Sequence, residues 1–418
     1  MTEALPAVSR PWGMRALLGA VLISSVGEAM VIVAVPWFVL EATGSAARTG
    51  VLLAVGAVSS GLAGLLAGPL VDRWGFKRMA VTAWVFGGAA AACIPVLHHL
   101  GRLDFATLIA LTVAASVLDV PGVAAVTGLV PGLAGAARMP LERGNALLGG
   151  VHQAAQLAGV PLGGLATATL GADTVLALDA LGCLLAAFLI LVGVPSPGPT
   201  PSAPAAEAPA GREPSLAVRA YLDEIRVGLR LLWRERLVRA LACSGAAFNA
   251  LDSGLAGVLL AVYAHRELGS AAGLGVMLTA FSVGVLVGTG AYAVVGHRFG
   301  RRPAYLASGA GVGLLVAGLA VVSPSLPTAA VLLGLLGVVA APVGPVRTTA
   351  FQRELRAETY GRVVSAVDTI GTAAVPLGAA ATAVAAESLG VRPALAALAV
   401  AYLAVVTACW RSSALRTL

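Results

Sequence analysis

The chain has 418 residues, of which 58% are apolar and only 11% charged, and its mean hydropathy is +0.91. That is far more apolar surface than a water-soluble fold can bury, so a soluble protein is excluded. The net charge of +7 lies in short stretches between apolar runs, a pattern that signals membrane topology rather than a nucleic-acid-binding face.

A bilayer core requires about 20 apolar residues per helix. On that basis the first spans are predicted near 14–41, 49–71, 78–99, 104–131, 143–171 and 174–194. No signal-peptide cleavage pattern precedes the first run, which is read as a retained helix. Residues 195–214 are rich in proline and alanine and predict an extended linker. Residues 215–236 then change to helical spacing. Leu222, Ile225, Leu229 and Leu232 mark one face and Arg219, Arg226, Arg230 and Arg234 the other. This fits a basic amphipathic helix on the membrane surface, serving either as a tether or as a regulatory contact. Six further spans are predicted near 237–264, 272–295, 303–323, 326–350, 360–386 and 391–410.

The expected fold is an all-α membrane protein of twelve transmembrane helices in two six-helix bundles, residues 1–194 and 237–418, joined by the linker 195–236. A cytoplasmic N-terminus leaves only Arg48, Arg102, Arg266 and Arg392 outside and the rest of the 27 Lys and Arg inside, which places both termini in the cytoplasm. The 51 glycines suit closely packed membrane helices. Cys93, Cys183, Cys243 and Cys409 fall in apolar runs without CxxC spacing, and read as packing residues rather than disulfides or zinc ligands.

The halves repeat. Residues 46–78 align without gaps to 271–303, matching Gly50 with Gly275, Val51 with Val276, Leu53 with Leu278, Arg73 with Arg298 and Gly75 with Gly300. VPLGGLATA (160–168) recurs as VPLGAAATA (375–383). Equivalent segments have the same orientation, so the repeat is parallel, about an axis along the membrane normal.

The loop after the second span reads GPLVDRWGFKRM, Gly68 to Met79. It resembles the G-x-L-x-D-R-x-G-R-[RK] signature of the major facilitator superfamily. The resemblance implies a conformational latch formed by Gly68, Asp72, Arg73, Gly75, Lys77 and Arg78. Phe76 stands where the signature has arginine, and the second copy, HRFGRRP (His297 to Pro303), lacks the acid. Gly150, then Gly159, Pro161, Gly163 and Gly164, resemble that superfamily's antiporter motif with its proline displaced by one place; tight packing and a helix bend are the alternative reading. The first span, Leu22 to Ser45, and the segment Asn145 to Gly159 are similar to the macrolide-efflux-like branch of drug:proton antiporters. That resemblance implies export of small amphiphilic compounds by alternating access.

Ionisable groups inside spans are costly and face a wet cavity or a partner. Glu28 lies midway along the first span. Asp252 lies in the seventh, on one face with Asn249, and the repeat offset brings Glu28 onto Ser253, beside Asp252. A carboxylate at such a depth either exchanges protons and binds a cationic substrate, or makes a structural hydrogen bond. An inward proton gains about 2.3 kcal/mol per 100 mV of membrane potential. Asp119 is a further candidate, with His152 and Gln156 one turn apart on the fifth span. Trp37 is either an interface anchor, with Phe38, or a platform for a drug-like ring. Asp368 and Arg347 are expected to form a gate pair, and Asp179 is placed at the outer boundary of the sixth span.

Lys77 is the chain's one lysine and lies outside any GxxxxGK[ST] context, so ATP hydrolysis is not expected. No HExxH or metal-ligand cluster occurs, and no enzyme activity, cofactor or metal is expected. The expected partners are a small-molecule substrate, protons and the lipid bilayer of a bacterial cell membrane, with no nucleic acid, and the chain is expected to be a monomer. Import of a small solute by proton symport, or a non-transporting role, are the alternatives.

Overall fold

The computed structural model describes residues 12–195, 226–227, 229–355 and 357–418, apart from the side chains of 65, 66, 68, 69, 72, 297, 357, 358, 361, 362 and 417. Among these residues there is no strand. The long helices are α1 (Trp12–Thr43), α2 (Ala46–Trp74), α3 (Phe76–His99), α4 (Phe105–Ala136), α5 (Leu141–Leu170) and α6 (Ala172–Gly193). They continue with α7 (Arg236–Leu268), α8 (Ala271–Val295), α9 (Arg301–Val321), α10 (Leu326–Glu354), α11 (Ala357–Leu389) and α12 (Val391–Arg411).

The described residues include eleven helices long and apolar enough to cross a membrane. α5 is absent from that set although its 30 residues reach about 45 Å. His152, Gln153, Gln156 and several glycines dilute its hydropathy. Val321 (81% exposed) and Leu377 (72%) stand out from the helix surfaces, as lipid contact allows and water would penalise. The expected linker lies mostly outside the described residues. Of the amphipathic segment, residues 226–227 and 229–234 are helical, and Leu232 is buried as its face predicts.

Local chemistry sets several helix ends. Asp104 caps α4 by accepting the Thr107 N–H at 2.9 Å, and hydrogen bonding from the Thr107 side chain, then from its N–H, holds the carboxyl below the ordinary aspartate pKa. Ser270 caps α8 in the same way through Gly273 N–H at 3.0 Å. Gly75 joins α2 to α3 at φ 76°, a conformation that disfavours any side chain. Pro342 follows a break in α10 after Ala340. α7 widens into π turns at Leu255–Leu259 and Ala264–Leu268, just beyond Asp252.

Two compact units result. One takes the described residues of Met1–Ala29, Leu62–Gly159 and Leu176–Val218; the other takes those of Met30–Gly61, Val160–Val175 and Arg219–Leu418. The core of the first gathers Leu17, Met79, Ala125, Val130 and Ile190 from α1, α3, α4 and α6. In the second, α8 packs on α10, α7 on α11, and α9 on both α10 and α12.

Candidate functional site

In the first unit, α1, α4, α5 and α6 bring together Glu28, Asp119, His152 and Asp179. Glu28 and Asp119 are exposed although both sit mid-helix. The carboxylates of Glu28, Asp119 and Asp179 lie close enough to act on one another's charge, and His152 acts on Glu28. His152 Nδ1 is 3.1 Å from Ser25 Oγ, which fixes the ring one turn of α1 away from Glu28. Gln156 follows one turn along α5 and is half-buried. Among the described residues, no Lys or Arg acts on these acids and the cluster does not have the arrangement of a metal site.

Asp179 corrects the sequence reading. It is not a boundary residue: its backbone lies against Gly27, where an added Cβ would be 3.2 Å from Asp179 Cα and would overlap the carboxylate. Gly182 on Ile23 and Gly193 on Ala16 continue the same α6 face along α1. The signal available in the sequence was this stripe of small residues, with Asp179 as its one acid.

In the second unit, Asp252 is held differently. The Tyr402 hydroxyl of α12 donates a short hydrogen bond to Asp252 Oδ1. Tyr402 stacks on Phe248 at 6.1 Å and 21°, and Phe248 meets Tyr305 edge-on at 6.1 Å. The Tyr305 hydroxyl is 2.8 Å from Ser244 Oγ. Asn249, exposed and one turn before Asp252, sets its amide against Gly371 of α11; Ser253 Oγ donates to Val375 O at 2.9 Å. Tyr402 was missed because a lone tyrosine in an apolar run carries no spacing signal.

The expected gate pair does not form among the described residues. Asp368 is exposed on α11 and makes no ion pair with Arg347, whose Nη1 instead lies 2.8 Å from where a Cβ on Gly245 would stand. Trp37 is half-buried and meets His265 edge-on at 5.0 Å.

The two sequence motifs acquire definite contacts. The side chains of Gly68 and Asp72 lie outside the described residues. Lys77 Nζ donates to Leu191 O at 2.9 Å and Val194 O at 2.6 Å, capping the C-terminal end of α6, where a cation suits the exposed carbonyls. Phe76, the departure from the signature, packs its ring where a Cβ on Gly128 of α4 would stand. Arg73 and Arg78 line a 490 Å³ groove beside Lys77. In the antiporter-like motif, Gly159 abuts Val26 and Ala29 in the first unit, while Gly163 abuts the backbone of Met30 and Gly164 that of Gly275 in the second. Pro161 is half-buried between them and α5 runs through it unbroken. Gly150 has open space around it, so close packing does not explain that position.

A polar knot closes one end of the second unit. Glu387 Oε2 accepts the Ala46 N–H at the start of α2 at 2.8 Å and pairs with Arg266 at 3.6 Å. Arg266 also donates to Gly44 O at 3.4 Å, and Arg392 pairs with Glu267 at 3.3 Å. Below the knot, Gly50 of α2 meets Ala383 of α11, as Gly275 of α8 meets Gly164 of α5. The repeat relates Gly50 to Gly275, so these are two copies of one close crossing.

Comparison with known proteins follows the same lines. The chain matches the Major Facilitator Superfamily over residues 17–256 and 242–416. It is 28% identical over 367 residues to the multidrug efflux pump Tap of Mycolicibacterium fortuitum, covering 87% of this chain and 86% of that protein. It is 30% identical over 369 residues to the multidrug efflux pump Tap of Mycobacterium tuberculosis, covering 87% and 84%. Among solved structures, the nucleoside transporter NupG superposes with a TM-score of 0.75 at 10% identity over 94% of this chain and 97% of that one. A POT family transporter in complex with 5-aminolevulinic acid gives 0.71 at 11% identity over 95% of each chain. At those identities the likeness concerns the fold alone. A family match spanning nearly the whole chain, on a multi-pass helical membrane fold carrying the loop signature, means that the chain belongs to the Major Facilitator Superfamily.

Proposed function

We propose that this chain exports small amphiphilic compounds by proton antiport, alternating access between the two sides of the membrane. Glu28 is the group that exchanges proton for substrate, with Asp119 and His152 beside it. One observation carries this reading: Glu28 is an exposed carboxylate midway along a membrane helix, charge-coupled to two further acids and, among the described residues, to no Lys or Arg. Such a group is costly in a bilayer unless it binds protons or cations. The relatives named as multidrug efflux pumps, which cover 87% of the chain, support export of drug-like molecules.

In this proposal α5 is the twelfth span, both termini are cytoplasmic and the chain sits as a monomer in the bacterial cell membrane. Residues 1–194 and 237–418 are the two moving halves, joined by the linker 195–236. The proton gradient supplies the energy, with no bound cofactor and no chemistry on the substrate. Asp72 and Arg73 latch conformations without touching substrate.

The test is efflux of dyes and antibiotics from a pump-deficient bacterial host, comparing wild type with Glu28→Gln in the presence and absence of a protonophore. Lower accumulation that disappears with the protonophore and with Glu28→Gln is the expected result. Undiminished export by Glu28→Gln would remove Glu28 from the mechanism. No export of any compound across a broad panel would instead favour import or a dedicated metabolite.

A further inference from the structure

The second unit has a 680 Å³ cavity that the transport reading does not use. It lies where α8 ends, α9 begins and α10 finishes. Arg301 and Arg353 line it, together with the hydroxyl-bearing Thr289, Tyr292 and Thr349. No acidic side chain among the described residues lines it; Leu418 is also part of its wall. The ion pairs formed among the described residues engage neither arginine.

The backbone adds to the positive field. Gly300, in the cavity wall, is the N-cap of α9 and offers no side chain to the first-turn amides. Those N–H groups have no acceptor within the helix, and the helix dipole places partial positive charge there. Two guanidinium groups, hydroxyl donors and a helix start together form an anion-binding surface. An apolar side completes it: Phe299, 61% exposed, also lines the cavity, and Val294 at 70% and Val295 at 37% stand out beside it on α8.

We infer that this cavity binds the headgroup of an anionic phospholipid, its phosphodiester between Arg301 and Arg353 and its acyl chains along Phe299 and the α8 surface. The shared chemistry is a phosphate ester, which inorganic phosphate or a soluble phosphate ester also has. The lipid is favoured by position: the cavity lies at the ends of helices long and apolar enough to cross a membrane, where headgroups are found, and an apolar surface adjoins it. The loop of the first half at the equivalent repeat position has its own basic groove, with Arg73, Arg78 and Trp74. There Lys77 is already committed to α6 carbonyls, and no comparable set of hydroxyls is present. The second-half cavity is therefore the stronger site. The inference does not depend on Glu28 or on the direction of transport.

The test uses the full chain, extracted from vesicles of equal phosphatidylglycerol and phosphatidylethanolamine, with retained lipids counted by native mass spectrometry. Wild type is expected to retain phosphatidylglycerol over phosphatidylethanolamine. Each of Arg301→Gln and Arg353→Gln should lower that preference about five-fold, the value of one basic residue near an anionic surface. Thr289→Val with Tyr292→Phe, which leaves both charges in place, should lower it less, and serves if the arginine variants do not fold. Millimolar inorganic phosphate should not displace the lipid. Equal retention of both lipids by wild type, unchanged retention in well-folded arginine variants, or displacement by phosphate alone would each overturn the inference, the last in favour of a soluble anion.

Discussion

The two halves place an acid at equivalent depth in their first helices and treat it in opposite ways. Asp252 accepts a hydrogen bond from Tyr402, whose ring is part of a chain through Phe248 to Tyr305 and Ser244. Glu28 accepts no hydrogen bond from a hydroxyl or amide among the described residues and instead faces Asp119 and Asp179. A carboxylate with a dedicated hydroxyl donor is held in one position and ties two helices of the fold together. One set among other acids, with no such donor fixing it, is placed to meet a cation, proton or substrate. In the proposed mechanism, one repeat has produced a structural acid and a responsive one.

The largest expected effect tests this division directly. Glu28→Gln should lower protonophore-sensitive export at least about ten-fold, while Asp252→Asn should lower it less than about three-fold, corresponding to free-energy changes of roughly 1.4 and 0.6 kcal/mol. Equal losses in a parallel efflux assay would break the comparison. Asp179→Asn comes next. It should reduce export of doubly charged compounds more than singly charged ones, because it removes a negative charge from the cluster; an equal effect on both would return Asp179 to a packing role. The stability ranking runs the other way. Tyr402→Phe leaves Asp252 without its donor and should cost about 1.5–3 kcal/mol in thermal unfolding, against little change for Glu28→Gln. The smallest effect is that of Glu387→Gln at the polar knot, where both partners of the ion pair are over a third exposed and the pair contributes at most about 1 kcal/mol. Cysteine accessibility at Ala46 should rise modestly in that variant, and no change would show that the Gly50 and Gly275 crossings close this end unaided.

The loops diverge in the same manner as the acids. In the first copy, Lys77 caps α6 and Phe76 fills the space over Gly128; in the second, Arg301 faces an open cavity. The signature identified the place and the residue types, while the contacts of Lys77 with the carbonyls at the end of α6 came from the structure.

Helix positions were legible because membrane helices satisfy their hydrogen bonds locally, so that length and hydropathy are enough to reveal them. α5 is less apolar than the other spans for the reason that makes it interesting: His152 and Gln156 lie on it, His152 within reach of Glu28. Among the site residues, Glu28, Asp119 and Asp252 announced themselves as charges inside apolar runs. Asp179 did so too, but its depth could not be judged from α6 alone, since the register of α6 against α1 is set by small residues on both. Gly163 and Gly164 were visible as a motif while their neighbours, Met30 and Gly275, were not. The Asp368–Arg347 pairing failed because opposite charges near one end of a helix bundle need not face each other.

The sequence by itself determined a helical membrane protein with a parallel internal repeat, and the acids that the bilayer makes conspicuous, because hydrophobicity and repetition are properties of the chain read locally. Only the tertiary structure decided which acid acquires a hydroxyl partner, which glycine is a contact and which arginine is left facing open space. Those outcomes depend on the rotation and register of helices far apart in the chain, and a shift of one residue turns a side chain by about 100° around its helix axis.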